Sequence, residues 1–367
     1  MSTVLVLTNN IGGLHSFRKE VMQAICDAGH HVVISVPLSA GDKQKADYFI
    51  NMGCEVINTA FNRKGTNPIA DFKLMCTYVG YMRKYKPIAV LTYTIKPNVY
   101  GGMAAALCGK KLFANVTGLG STLENPGLMQ KLNILLYKIG LFKAYRVFFQ
   151  NQENMDFCKC HGILRSESIL LPGSGVNLNY HTPKDYPVDE GVTRFIFVGR
   201  LLKDKGVDEL FEAMSTLKSK FKDAVSLEIV GPTEDNYSNQ LERLQKEGVV
   251  IWHGPQQDVR PLVAKCNCLI LPSYHEGMSN VLQEACAAAR PVITTNVSGC
   301  KEIVNDGETG LLCNVKDAKD LETKMEKFHL MPYNAKKTMG LSARKKVENE
   351  FNREKVVNHY ITELSKL

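Results

Sequence analysis

Apolar runs short enough for strands alternate with amphipathic helical patterns along this whole chain, and that alternation restricts the possible folds more than any single residue. In the first half, strands are expected over 4–7, 31–36, 54–58, 88–93, 111–116, 145–150 and 168–171. Helices are expected between them, from about Val21 and over 43–52, 69–84, 98–107, 128–144 and 151–161. The second half repeats the pattern, with strands over 194–198, 226–230, 249–252, 268–273 and 291–294. Its helices are expected over 258–264, from Ser279 onward, and over 299–304, 317–328, 335–349 and 352–366. Strands joined through helices pair in parallel, because the crossover returns the chain to the same end of the sheet. Runs apolar at successive positions, such as CLIL at 268–271, suit strands buried on both faces. The expected class is therefore α/β, as doubly wound, Rossmann-like parallel sheets. A chain of 367 residues is long for one core. The best boundary is the turn PGSGVN at 172–177 with the polar, proline-containing stretch up to Val192.

Open α/β sheets bind ligands beyond the carboxyl ends of their strands, and those are the places where this sequence turns unusual. After the run at 268–273 come Glu276 in a loop and Glu284 about a turn into a helix capped by Ser279, so both carboxylates can face one crevice. Carboxylates are strong acceptors for the hydroxyls of a polyhydroxylated ligand, and the free N–H groups of a helix start suit a phosphate or a sugar oxygen. The strand at 194–198 ends in Gly199-Arg200, and Lys205 follows just before a helix. Two such cations can neutralise a leaving diphosphate without a metal ion, arginine as a fork and lysine as a point charge. Behind the first strand, Gly12-Gly13 allows close backbone approach to a ligand, or simply a tight strand-to-helix turn. It is not G-x-G-x-x-G, which counts against a dinucleotide. Two further loops, TYTIKPN at 92–98 and NVTGLGS at 115–121, are expected to open onto the same cleft.

With these motifs the chain resembles the retaining glycosyltransferases of family 4, which have the two-domain GT-B fold. The resemblance rests on G-R-x-x-x-x-K-G at 199–206 and on the acid pair spaced by seven residues in EGMSNVLQE at 276–284, with NDGETGLL at 305–312 in support. It implies two Rossmann-like domains facing across a cleft. These would be an acceptor-binding domain over 1–175, a nucleotide-sugar domain over 190–350, and a final helix over 351–367 returning to the first. It also implies roles. Arg200 and Lys205 would hold the donor pyrophosphate. Glu276 would contact the sugar hydroxyls with the backbone of Gly277, Met278, Ser279 and Asn280, and Glu284 the ribose. Gly12 and Gly13 would lie near the donor phosphates, Gly231 and His253 at the base pocket, and His15 and Lys96 on the acceptor side. TYTIKPN and NVTGLGS are similar to a branch that elongates lipid-linked bacterial oligosaccharides, N-acetylgalactosaminyltransferases among them. Many family members carry a sugar-contacting histidine where this chain has Thr117, whose hydroxyl can hydrogen-bond a sugar but cannot serve as a base near neutral pH. The expected activity is transfer of a hexose or N-acetylhexosamine from a UDP-sugar to a polyprenyl-diphosphate-linked glycan. A UDP-N-acetylhexosamine epimerase and a non-catalytic nucleotide-sugar binder are the alternatives.

Charge and composition bear on partners. Residues 1–180 hold 19 Lys and Arg against 10 Asp and Glu, a net +9, while residues 181–367 hold 26 against 27, a net −1. A basic first half implies an anionic partner, a membrane surface or phosphorylated substrate, and no nucleic-acid signature accompanies it. The helix at 128–144 carries Leu132, Leu135, Leu136, Ile139 and Phe142 on one stripe bordered by Lys131, Lys138 and Lys143. The stripe is expected to face the sheet while the lysines reach outward, where with Lys110, Lys111 and Arg146 they can touch lipid head groups. No D-x-D occurs, so no metal or other cofactor is expected. The eleven cysteines, including Cys158, Cys160, Cys266 and Cys268, are expected as free thiols rather than zinc ligands. The first residues read as a strand rather than a signal peptide, and no apolar run is long enough to span a bilayer. The expected location is cytoplasmic, with the inner face of the plasma membrane as the surface for any peripheral attachment.

Overall fold

The computed structural model of the chain describes residues 1–62, 67–119, 127–233 and 237–367. It divides into two compact units, one of Met1–Ser174 with Glu354–Leu367, the other of Gly175–Arg353. Ser121 of the second loop motif, with Gly120 before it, lies outside the described residues.

In the first unit the strands are β1 (Thr3–Leu7), β2 (His31–Val36), β3 (Glu55–Asn58), β4 (Ala89–Tyr93), β5 (Lys111–Val116), β6 (Ala144–Phe149) and β7 (Ser168–Leu170). They pair in parallel in the order β3-β2-β1-β4-β5-β6-β7. Valine, isoleucine and leucine fill β1, β2 and β4 because helices cover both faces and leave no position for a solvated side chain. On one face lie the helices Pro68–Tyr85, Gly102–Leu107 and Leu128–Leu141, which share a core with Leu5, Val90 and Ala114. On the other lie Ile11–Asp27, Lys43–Asn51 and the final helix Arg353–Leu364. That last helix places Val356, Tyr360 and Leu364 in the core beside Tyr93, Phe113 and Phe148. Tyr360 donates a hydrogen bond to Asn115 Oδ1, and Glu363 accepts from Arg146 at 2.6 Å.

The second unit holds β8 (Thr193–Val198), β9 (Val225–Val230), β10 (Ile251–Trp252), β11 (Cys268–Leu271), β12 (Val292–Thr295) and β13 (Gly310–Cys313). The order is β10-β9-β8-β11-β12-β13, again parallel throughout. Here the two segments that carry the chain into and out of the unit lie side by side. Val176 N–H donates to Phe351 O at 2.8 Å, and Arg353 N–H donates to Val176 O at 3.1 Å. Gly175 (φ +64°) makes this possible, since a Cβ there would stand 2.6 Å from the Arg353 Cα.

One expectation fails outright. The apolar stripe of the Leu128–Leu141 helix does not face the sheet: Leu132, Leu135, Ile139 and the following Phe142 are exposed, and of the stripe only Leu136 packs on the core. Glycines decide this. Gly140 meets the turn at Val99 so closely that a Cβ would lie 2.7 Å from the Val99 Cα, and a Cβ on Gly102 would lie 2.1 Å from Gly140 O. Backbone-to-backbone packing thus fixes the roll of the helix, which buries Tyr137, Gly140 and Leu141 and turns the leucine stripe outward.

Candidate active site

In each sheet the strand order reverses once, between β1 and β4 and between β8 and β11. A crevice opens at the carboxyl ends of such a pair. The glycine pair, TYTIKPN, the glycine–arginine–lysine motif and the acid pair follow these four strands, while NVTGLGS follows the neighbouring β5.

In the second unit, β11 ends at Pro272, which has no N–H to continue a ladder. The chain loops through 273–279 and re-enters helix at Asn280–Ala287, where the Ser279 hydroxyl accepts from Leu282 N–H at 3.5 Å. Neighbouring strand ends hold the loop. Thr294 Oγ1 donates to Leu271 O at 2.7 Å, Thr295 Oγ1 to Ser273 O, and Ser279 N–H to Gly299 O at 2.8 Å. Opposite it, β8 runs through Gly199 and exposed Arg200 to a single 3₁₀ turn, Lys203–Lys205. Tyr274 ties the two loops, its N–H donating to Asp204 O at 2.9 Å and its hydroxyl to Glu209 Oε1 at 2.7 Å. So anchored, Lys205 donates to Glu276 Oε1, which also accepts from Ser273 Oγ at 2.9 Å. Lysine and glutamate from strands about 70 residues apart in sequence thus meet as an ion pair at the switch point.

Glu284 stands farther along the same helix, with His181 Nε2 3.9 Å from its Oε1. Burial pushes its carboxyl up to about 7, against the opposing charge of Arg353. Between the ordinary carboxylate value and that figure, the folded chain holds a proton that the unfolded chain has released. Stability from this group is therefore present at acid pH and lost as pH rises towards 7. Glu284→Gln removes the charge and keeps the shape, so it should be more stable than the natural chain at pH 8 by about 1–2 kcal/mol, the exposed quarter of the side chain limiting the gain. Urea unfolding at pH 5 and pH 8 checks this: the advantage should shrink at pH 5, and a pH-independent difference would mean that Glu284 ionises normally.

Other expected residues prove to be partly committed elsewhere. Met278 turns its side chain into the core, leaving its backbone at the loop. The His253 ring is engaged by Glu228 of β9. Gly231 (φ +144°) is required by close approach, since a Cβ would fall 1.9 Å from Gly199 O. Among the described residues, neither the buried Asn280 Oδ1 nor either amide atom of Gln283, fully buried a turn further on, has a partner. Sequence reading did not find His181, Arg353 or Gly299, whose neighbours in space are distant in sequence, nor Ser273, which stands only three residues before Glu276 but closes the apolar run.

In the first unit the helix begins at Ile11, earlier than the sequence pattern suggests, because Asn10 caps it by accepting from Gly12 N–H at 2.9 Å. Gly12 and Gly13 therefore form a helical first turn. One turn on, His15 packs edge-on to Tyr48 with ring centres 4.7 Å apart, and burial with Lys19 and Lys45 lowers its pKa. Lys96 donates to Asp71 at 2.6 Å, and Asp71 also accepts from Tyr100. The asparagines of the two loop motifs form a buried ring. Thr92 Oγ1 donates to Asn98 Oδ1 (2.7 Å), Asn98 Nδ2 to Asn115 O (2.8 Å) and Asn115 Nδ2 to Thr92 O (3.1 Å). Thr117 O accepts from Gln150, whose amide oxygen accepts from Arg18 at 2.8 Å.

Between the ring and Lys96 stands Thr94 with φ +75°, an outlier for a β-branched residue, and with a buried Oγ1 that has no partner among the described residues. Thr94→Gly relieves both costs. It should stabilise the chain by about 1 kcal/mol, a rise of about 2–4 °C in Tm by calorimetry. A fall in Tm would mean that the hydroxyl is satisfied in solution.

All eleven cysteines are free. Burial raises the thiols of Cys158 and Cys266 to about 12, and raises that of Cys268 as well. Among the described residues no group of three His, Cys, Asp or Glu could hold a metal, and no helix is long and apolar enough to cross a membrane.

Residues 181–346 match the model of the family described as Glycosyl transferases group 1. Over 331 residues, the chain is 26% identical to a Campylobacter jejuni N,N'-diacetylbacillosaminyl-diphospho-undecaprenol alpha-1,3-N-acetylgalactosaminyltransferase, covering 85% of each sequence. It is 27% identical over 299 residues to the Staphylococcus aureus capsular polysaccharide biosynthesis glycosyltransferase CapM, covering 77% of this chain and 78% of the relative. Among solved structures, Anabaena HepE in complex with UDP-glucose superposes with a TM-score of 0.80 at 17% identity over the full length of both chains. That likeness gives the fold, two Rossmann-like parallel-sheet domains of the GT-B class.

Proposed function

Residues 181–346 match the glycosyl transferases group 1 family, and on that premise we propose that this chain is a retaining glycosyltransferase of bacterial surface-polysaccharide or glycan synthesis. It moves a hexose or N-acetylhexosamine from a UDP-sugar to a hydroxyl of a polyprenyl-diphosphate-linked glycan. It works from the cytoplasmic side, at an anionic membrane surface. The observation that carries the reading is the meeting of Lys205 and Glu276 at the switch point, with Glu284 on the helix that follows. Support for the donor and acceptor classes comes from the relatives, one a transferase whose name includes diphospho-undecaprenol, and from the neighbour bound to UDP-glucose.

In this scheme the bond from the sugar's anomeric carbon to UDP breaks as the acceptor oxygen attacks from the same face. A phosphate oxygen of the departing UDP takes the acceptor's proton. Arg200, Lys205 and the N–H groups at the start of the Asn280–Ala287 helix meet the charge that develops on the diphosphate, the role in which preorganised donors contribute most. Their charges take the place of a metal ion, and no cofactor enters. Glu276 and the backbone of Gly277 to Asn280 accept and donate at the sugar, and Glu284 binds the ribose. The backbone at Gly231 and His253 borders the base. Gly12, Gly13 and the Thr117 hydroxyl serve the donor from the first unit, where no strong base is needed, and His15 and Lys96 lie on the acceptor side.

UDP release measured over a panel of UDP-sugars, with and without a short polyprenyl-diphosphate glycan, tests this. Release dependent on the acceptor and on one donor, with the anomeric configuration of the product kept by NMR, is the expected result. Interconversion of sugars without acceptor, or an inverted product, would overturn it.

A further inference from the structure

The roll that Gly140 imposes on the Leu128–Leu141 helix leaves its apolar stripe facing outward. Leu128, Leu132, Leu135, Ile139 and Phe142 recur every three or four positions and form one continuous stripe, opposite the face fixed by Tyr137 and Gly140. Their exposure runs from 44% at Leu132 to 83% at Leu128, too much apolar surface on one short helix to be scatter. Lys131, Lys138 and Lys143 flank it and are exposed, and Arg165 lies over the Phe142 ring at 4.7 Å. The helix contains no aspartate or glutamate. A second patch, Ile69 and Phe72 at 71% and 61% exposure, opens the first turn of the Pro68–Tyr85 helix. Both helices cover the same face of the first sheet, and each connects parallel strands, β3 to β4 and β5 to β6, so both first turns lie toward the carboxyl ends of the strands.

We propose that this stripe is a docking surface for an anionic lipid bilayer, with the leucines entering the head-group boundary, the flanking lysines pairing with lipid phosphates, and Ile69 and Phe72 as a second point of contact. Charge selects this occupant over a second copy of the chain. Two such helices face to face would bring their lysines together with no carboxylate on either helix to offset them, whereas anionic lipid attracts each lysine near its surface. The net +9 of residues 1–180 points the same way. The inference rests on the lipid-linked acceptor proposed above, and it places the carboxyl ends of the first unit's strands beside the membrane that would hold that acceptor.

Flotation of the full chain with vesicles of phosphatidylglycerol and phosphatidylethanolamine in equal parts, and with phosphatidylcholine alone, tests it. The natural chain should float with the anionic vesicles and lose binding as salt is raised. The double variants Leu132→Glu/Leu135→Glu and Lys131→Glu/Lys138→Glu should each reduce the bound fraction about tenfold or more. Because these side chains are exposed, the Tm should be unchanged, as should turnover of a glycan acceptor on a short water-soluble chain. No flotation of the natural chain, or equal flotation of the variants, overturns the proposal. A dimer in sedimentation velocity that the leucine variants dissociate would assign the stripe to a second copy instead. Vesicle binding without transfer to any polyprenyl-linked glycan would leave the docking surface standing and overturn the acceptor.

Discussion

Lys205→Ala should lower turnover about a hundredfold or more while leaving the chain folded. The backbone at this position is held by its successor: Gly206 (φ +69°) sits so close to β11 that a Cβ would lie 2.1 Å from Pro272 O. Lys205 is thereby held against the loop of Glu276, and its charge is in place before any ligand arrives. A cation so fixed costs no reorganisation when charge moves onto the departing diphosphate, which is why its loss should fall on the rate more than on donor binding. The fold should tolerate the change. The pair is about a fifth exposed, so breaking it costs on the order of 1 kcal/mol or less. Lys205→Arg should recover part of the rate, because the charge returns on a longer, planar head. Initial rates with thermal melting of each variant decide the matter, and a near-natural rate for Lys205→Ala would remove Lys205 from the diphosphate role.

Gly299→Ala should damage both the fold and the Glu276 loop. Gly299 has φ +83°, and a Cβ there would lie 2.5 Å from Glu276 O and 2.9 Å from its Cβ. The added methyl must push the Glu276 loop away, and with it the hydrogen bond from Ser279 N–H to Gly299 O that helps set the start of the Asn280–Ala287 helix. A loss of about 2–4 kcal/mol in urea unfolding is expected, together with loss of turnover. Gly307 supplies the control, since it has φ +80° but open space around its Cβ position. Gly307→Ala should cost only the backbone term, about 1 kcal/mol. Equal losses in the two variants would mean that the contact with Glu276 relaxes freely.

Much of this was legible in the sequence, for reasons that can be named. Strands such as Lys111–Val116 and His31–Val36 fall where the apolar runs place them, because a strand buried on both faces has no other composition open to it. The acid pair and the glycine–arginine–lysine motif were legible because their chemistry is local, spaced within one loop and helix. What was hidden depended on partners distant in sequence. The stripe at Leu132 and Leu135 has the same periodicity whether it faces in or out, and only the contact of Gly140 with Val99 fixes its roll. The start of the first helix moved because Asn10 caps it, a signal weaker to the eye than the glycine pair that follows. His181 and Arg353 come to Glu284 from opposite ends of the second unit, and no spacing within a motif could have announced them.

The final helix gives the protein an order of construction. Gly175–Arg353 is continuous in sequence and can complete its core as soon as its last strand and helices have left the ribosome. The unit begun earlier cannot, because Val356, Tyr360 and Leu364, which close its core over Phe148 and Tyr93, are made only after the whole of the second unit. Until then the nascent chain carries an open apolar face on its older half and a finished younger half. A premature stop within the closing helix would spare the second unit and condemn the first, so codons read after the second unit decide whether the first can persist.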